Sequence, residues 1–118
     1  MEELLMKYNV DLVFWAHEHD FERFWPLYDF KIMNGSMAEP YTNPGAPVHI
    51  ITGSAGCEEK HDPWGPYPGI TAFRSADYGF TTMKAHNSSH MEIAQISDDK
   101  VLRMILVYSA VRNVFNNM

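Results

Sequence analysis

A short apolar run that ends abruptly in two histidines constrains the fold of this chain more than any other feature. Residues 11–16 (DLVFWA) are followed directly by His17, Glu18, His19 and Asp20. The length of the run and its β-branched and aromatic content predict a buried strand. Because side chains two apart on extended backbone point the same way, we expect both imidazoles to face one side at the end of this strand.

The rest of the chain is predicted to contain one short helix followed mostly by β-strands. Apolar residues within 1–8 follow helical spacing. Strands are predicted over residues 11–16, 30–33, 48–52, 78–84, 91–96 and 100–107. Residues 36–47 and 57–70 are rich in proline and glycine and are predicted to be loops. Tight polar turns join the last three strands, which predicts a β-meander.

Composition allows one modest core and excludes several classes of partner. The chain has 118 residues, of which 46% are hydrophobic, and a net charge of −6. That length supports one domain, and the acidic balance disfavours nucleic acid and anionic membranes. No run approaches the roughly 18 apolar residues of a membrane span. The acidic first residues lack the basic region of a signal peptide, so none is predicted.

The histidine pair is the strongest chemical signal in the sequence. Neutral imidazole is a common ligand for zinc, iron and manganese, and ligands collect at the carboxyl ends of strands in α/β sheets. His17 and His19 are therefore candidate metal ligands, while Asp20 and Glu22 could orient an imidazole. Two surface histidines in an acidic turn are the alternative interpretation.

Four segments, in order along the chain, resemble the purple acid phosphatases, which are binuclear metallophosphoesterases. Residues 16–23 (AHEHDFER) resemble the family's Gly-His-x-His-x-Tyr-Glu-Arg block, with Ala16 in place of the usual glycine. Residues 47–57 (PVHIITGSAGC), 75–81 (SADYGFT) and 87–92 (NSSHME) resemble the strand with its glycine turn, a later aromatic-glycine strand and a glycosylated hairpin. The likeness is greatest to the animal iron/zinc purple acid phosphatase-like proteins.

This resemblance implies the C-terminal part of a metallophosphoesterase four-layer β-sandwich with flanking helices, an α/β fold that is mostly β-strand in this portion. Residues 1–118 would form the C-terminal portion of one incomplete domain, with 109–118 as a tail outside the family pattern. The family's four earlier blocks, which supply the other metal ligands, have no counterpart here. Asp77, Tyr78 and Gly79 spell the first block but follow the histidine pair, so we interpret that match as accidental.

The resemblance also implies roles for individual residues. His17 corresponds to a ligand of the divalent metal (Zn, Fe or Mn), and His19 to a ligand of the ferric ion. The implied reaction is hydrolysis of phosphate monoesters, in which two ions withdraw charge from the phosphoryl group and acidify the attacking water. We assign no catalytic residue within this chain and expect the chain alone to be inactive, because two ligands cannot hold two ions.

Asn34 and Asn87 each begin an Asn-x-Ser triplet and are candidate glycosylation sites. They agree with the secreted or lysosomal location that the family implies. Separately, the family resemblance implies a homodimer for the full-length protein. His49 is predicted to be a packed or edge histidine, and residues 61–62 (His-Asp) to lie in a solvated loop. Cys57 either pairs with a cysteine outside this chain or is an unpaired, partly buried thiol. His86 and His90 are predicted to be exposed beside a hairpin turn.

Two other interpretations remain open at this point. The chain could be a truncated, non-catalytic product or an annotation fragment with no independent activity. Metallo-β-lactamase-like and amidohydrolase-like sites also place His-x-His after a strand. The first kind expects an aspartate two residues after the second histidine, whereas Asp20 comes one residue early. The second kind needs a barrel of about 250 residues.

Overall fold

The computed structural model describes residues 1–61, 63–66, 69–99 and 103–109, and of the last segment only the backbone. Within these residues the chain forms one helix, α1 (Glu2–Lys7), and then strands throughout. The strands are β1 (Leu12–Trp15), β2 (Phe21–Phe24), β3 (Leu27–Tyr28), β4 (Lys31–Ile32), β5 (Val48–Thr52), β6 (Thr71–Ser75), β7 (Gly79–Ala85), β8 (His90–Ser97) and β9 (Arg103–Ser109). The strand-rich prediction is confirmed. The predicted tail after Ser109, and Asp62, lie outside the described residues.

The central element is a four-stranded mixed sheet with the order β1-β5-β2-β6. β1 and β5 are parallel, with Val13 opposite His49, and β2 is antiparallel to both β5 and β6. Parallel neighbours need a long crossover, and the chain between β1 and β5 supplies it. That crossover contains β2 and the small β3–β4 ribbon.

The last three strands form the antiparallel meander β7-β8-β9, as predicted. The turn between β7 and β8 is built around the Asn87 side chain. Its Oδ1 accepts hydrogen bonds from the backbone N–H groups of Ser89 and His90, each at 2.9 Å. An asparagine side chain that accepts in this way stands in for a backbone carbonyl, which favours a tight turn.

The hydrophobic core joins the mixed sheet to the meander. Its buried residues are Phe21, Tyr41, Val48, Ile50 and Ile93. Polar contacts reinforce the same junction, because the hydroxyls of Thr52 and Thr81 share a 2.6 Å hydrogen bond. The end of β5 therefore contacts both sheets. This fixes the position of any segment that packs against the end of β5.

Two predictions require correction. The strand over residues 11–16 is correctly placed but is not buried, since Phe14 and Trp15 are 41% and 37% exposed. Among the described residues β1 pairs with β5 alone, so its other edge has no neighbouring strand. β2, β3 and β6 are not predicted at all. Thr71–Ser75, for example, lacks an apolar run and becomes a strand only by pairing with β2. No helix in the described part of the chain is long and apolar enough to span a bilayer.

Candidate metal centre

His17 and His19 lie in a turn that follows β1 directly. Residues 17–20 bend away from the strand, and His17 has a φ of +96°. The prediction that both imidazoles share a face because the backbone is extended is therefore wrong. Left-handed backbone is uncommon outside glycine, although histidine adopts it more readily than most residues. Ala16 does not have a positive φ, so its methyl group is accommodated without strain.

Gly53, directly after β5, allows the histidine turn to pack against the sheet. A Cβ at this position would lie 2.0 Å from the Glu18 carbonyl oxygen and 3.3 Å from the His17 backbone nitrogen. The Gly53 N–H also donates to the Asp20 carbonyl at 3.1 Å. Only glycine has no Cβ and so permits this close approach of two backbone segments.

The two histidines line one cavity of about 190 Å³. The other residues lining this cavity are Glu18, Glu59, Lys60 and His61. Nδ1 of His19 lies 3.8 Å from Oε2 of Glu59. The structure thus brings His17 and His19 together, although by a turn rather than by a shared strand face.

The loop that contributes residues 59–61 to this cavity is predicted from sequence to be solvated. His61 is instead half-buried, and its ring lies 6.0 Å from that of Trp64. Nothing in the local sequence indicates that His61 lines this cavity, because the loop and the histidine turn are far apart along the chain. Its partner in the prediction, Asp62, lies outside the described residues.

The donors at this cavity fit part of a metal centre. Among the described residues, no group of three or more His, Cys, Asp or Glu side chains is placed to hold an ion. Two neutral imidazoles are suitable nitrogen donors, but catalytic and structural metal sites use at least three protein ligands. The two histidines alone fall short of that number.

Asp20 is the buried carboxylate of this region. It is 8% exposed, and burial, followed by the charges of Glu22 and Glu18, raises the pKa of its carboxyl. Its Oδ1 is buried without a hydrogen-bond partner in the described part of the chain. Glu22, in contrast, has a hydrogen-bond partner. It accepts a hydrogen bond from the Thr71 hydroxyl, which links β2 to β6.

His49 is a packed histidine, as predicted. It is buried on β5, and Trp15 donates a hydrogen bond from Nε1 to its Nδ1 at 3.1 Å. Burial lowers the pKa of His49, and a hydrogen bond to the Leu27 backbone and the charge of Glu2 oppose this only in part. An imidazole that accepts at Nδ1 must be neutral, so both observations favour an uncharged His49.

The other predicted positions are at the surface. Asn34 and Asn87 are exposed, and so are His86 and His90, as predicted for the two histidines. Cys57 is partly exposed and unpaired, and its thiol donates to the Glu59 carbonyl at 2.9 Å.

Comparison with known proteins places this fold and turn in a family. Residues 46–102 match the family model described as iron/zinc purple acid phosphatase-like protein C. Acid phosphatase type 7 of Danio rerio is 57% identical over 106 residues, covering 89% of this chain and 24% of that protein. The human protein of the same name is 47% identical over 116 residues, and the match covers 98% of this chain and 26% of the human protein. The chain thus spans about a quarter of the length of these curated relatives.

A solved structure supports the fold independently. A purple acid phosphatase from yellow lupin (Lupinus luteus) seeds superposes with a TM-score of 0.79 at 21% identity, covering 92% of this chain and 19% of that one. The strand-rich architecture is therefore that of the metallophosphoesterase fold. The metallo-β-lactamase-like and amidohydrolase-like interpretations do not hold. The chain belongs to the purple acid phosphatase family.

Proposed function

We propose that this chain is the C-terminal portion of a purple acid phosphatase-like enzyme that hydrolyses phosphate monoesters at a binuclear metal centre. One observation carries the proposal: in a chain of this family, the two histidines of the family block line a single cavity at the end of β1. His17 also has left-handed backbone, a conformation that clusters at functional sites, although four other non-glycine residues of the described chain adopt it too.

In this proposal His17 binds the divalent ion (Zn, Fe or Mn) and His19 binds ferric iron. When bound, the two ions would withdraw charge from the phosphoryl group and make water a better nucleophile. The contribution of the chain is to hold the imidazoles. Gly53 fixes the turn against the sheet, and Glu59 lies beside Nδ1 of His19, where a carboxylate can restrict the ring orientation and tautomer.

The remaining ligands would come from a preceding part of the same domain. Two imidazoles cannot hold two ions tightly, so the 118-residue chain by itself is expected to be inactive. The exposed edge of β1, with Phe14 and Trp15, is a suitable surface for that preceding part.

The test is a longer product of the same gene. It should contain iron and a second metal by elemental analysis and should hydrolyse an aryl phosphate at acidic pH. A longer product that lacks the family's upstream aspartate and Asn-His blocks, or that is metal-free and inactive, would overturn the proposal.

A second candidate is a truncated, non-catalytic product, or an annotation fragment, with no activity of its own. The observation that favours it is that the described residues supply no group of three metal donors. It predicts a metal-poor, marginally stable 118-residue protein. Cooperative melting of that protein with two bound metals would contradict it.

We also propose that the full-length protein is a secreted or lysosomal glycoprotein and a homodimer. Support comes from the exposure of Asn34 and Asn87, both at the start of an Asn-x-Ser triplet. Expression in a secretory host, followed by deglycosylation and mass measurement, tests the location and the glycans together. Light scattering of the secreted product tests the dimer.

A further inference from the structure

The loop that lines the histidine cavity is held in place by contacts at both ends. The Glu59 carbonyl accepts hydrogen bonds from the Tyr78 hydroxyl at 3.2 Å and from the Cys57 thiol at 2.9 Å. Further along, the Arg74 guanidinium lies 4.5 Å from the centre of the Trp64 ring. Lys60 lies between these anchor points, so the fold determines its position beside the cavity.

The charge of the cavity makes this lysine important for an anionic ligand. Glu18 and Glu59 both line the cavity and carry negative charge, in a chain whose net charge is already −6. These carboxylates repel phosphate, so its binding relies on positive charge from bound metal ions and from nearby basic side chains. Lys60 is the lysine among the residues that line this cavity.

The setting of Lys60 differs from that of Lys7 and Lys31. Nζ of Lys31 lies 3.8 Å from an Asp29 carboxylate oxygen, and Nζ of Lys7 lies 5.5 Å from the centre of the Tyr8 ring. Lys60 makes no ion pair with any described residue. Its three N–H donors are therefore available to an incoming anion at this side of the cavity.

We propose that Lys60 is a substrate-binding residue whose ammonium group donates to a non-bridging phosphoryl oxygen of the phosphate monoester. This inference rests on the proposed function and adds a residue to it. A contact made equally in the ground state and the transition state lowers KM and leaves kcat unchanged. Lys60 is thus expected to act on binding rather than on the chemical step.

The test compares Lys60→Gln and Lys60→Arg with Lys31→Gln in the metal-loaded longer product. We expect Lys60→Gln to raise both KM and the dissociation constant of inorganic phosphate about tenfold, the size expected for one charge-assisted hydrogen bond. The metal content should not change. Lys60→Arg should retain most of the affinity because it keeps the charge, and Lys31→Gln should resemble the wild type.

Phosphate binding measured by calorimetry, without turnover, separates this inference from the proposed function. Unchanged phosphate affinity in Lys60→Gln would overturn the role of Lys60 while leaving the phosphatase proposal intact. A protein that binds metal and phosphate without hydrolysis would overturn the phosphatase proposal, and the phosphate comparison would still decide the role of Lys60. A product that binds neither metal nor phosphate would overturn both.

Discussion

The two histidines of the turn have different surroundings, and each therefore depends on different neighbours. His19 is half-buried, with the Glu59 carboxylate 3.8 Å from its Nδ1. His17 is exposed and depends instead on its backbone, which holds a φ of +96°. The Glu59 carboxylate lies beside the His19 ring, whereas the backbone at His17 and Glu18 packs against Gly53.

Removal of either imidazole should therefore remove a metal. In the longer product, we expect His17→Ala and His19→Ala each to lose about one metal equivalent and at least about 100-fold in hydrolysis rate. Elemental analysis and aryl phosphate assays measure the two effects. His86→Ala is the control, because His86 is exposed beside the hairpin turn. Retention of both metals in either variant would contradict the assignment.

His49 should make stability depend on pH. Burial lowers its pKa in the folded state, so below about pH 6.5 the unfolded chain binds a proton that the folded chain does not. This contribution to stability is complete above that pH and is lost as the pH falls towards the lowered folded pKa. Urea unfolding from pH 8 to pH 5 should show a smaller loss of stability in His49→Gln than in the wild type.

Asn34→Gln serves as the control for that measurement, because Asn34 is exposed and its side chain does not titrate, and this variant should keep the wild-type pH dependence. Equal pH slopes in His49→Gln and the wild type would show that His49 does not carry the effect.

At the scale of elements, the contact between β5 and the histidine turn positions the site. Gly53→Ala would place a methyl group 2.0 Å from the Glu18 carbonyl oxygen, which belongs to backbone and cannot rotate away. We expect this variant to lose about 1–3 kcal/mol of unfolding free energy, as in other overpacked sites, and to bind metal less tightly. Chemical denaturation and metal titration measure both changes.

Gly65→Ala is the matched control for Gly53→Ala, because a Cβ at Gly65 would meet nothing within 4 Å. If both glycine variants showed the same stability and the same metal affinity, close packing of the turn against β5 would not be what positions the histidines.

The hairpin between β7 and β8 should carry a glycan. The turn uses Oδ1 of Asn87 as an acceptor, whereas a glycan attaches through the amide nitrogen, so the two are compatible. Ser89→Ala should remove one glycan, and Ser88→Ala should not, because only the third residue of the triplet is required. The mass difference after deglycosylation distinguishes them. A glycan that survives in Ser89→Ala would exclude Asn87 as the acceptor.

Local patterns in the sequence predict the elements but not the assembled site. β5 over Val48–Thr52 and the meander follow from apolar runs and turn residues that are close together in sequence. The cavity depends on Glu59 and His61, which are distant from His19 in sequence and are brought beside the same cavity by the fold. β2 and β6 are missed for the same reason, since pairing with neighbouring strands, and not an apolar run, makes each of them a strand. Long-range contacts leave no signature in a local pattern.

The described part of the chain leaves several large apolar side chains exposed near its start. Leu4, Phe14 and Trp15 are all exposed, and α1 buries none of its residues. Phe14 and Trp15 lie on β1, the strand that ends at the histidine turn. The surface around β1 therefore has the character of an interface, in agreement with a preceding part of the domain that completes the metal centre.

The isolated 118-residue chain should therefore bind metal poorly. We expect fewer than two metal equivalents, no measurable aryl phosphate hydrolysis and little increase in melting temperature when iron and zinc are added, because weak binding stabilises little. The longer product, measured in parallel, should show all three properties. Tight binding of two ions by the isolated chain would contradict the expected division of ligands.

The order of strands in the mixed sheet determines when the histidine turn can pack in place during synthesis. β1 and the histidine turn leave the ribosome before β5, yet the neighbour of β1 is β5, and β2 lies on the far side of β5. Pairing over such separations is slow because a long loop must close first. Until Thr52 and Gly53 have emerged, β1 lacks the strand with which it pairs and the histidine turn lacks the backbone against which it packs.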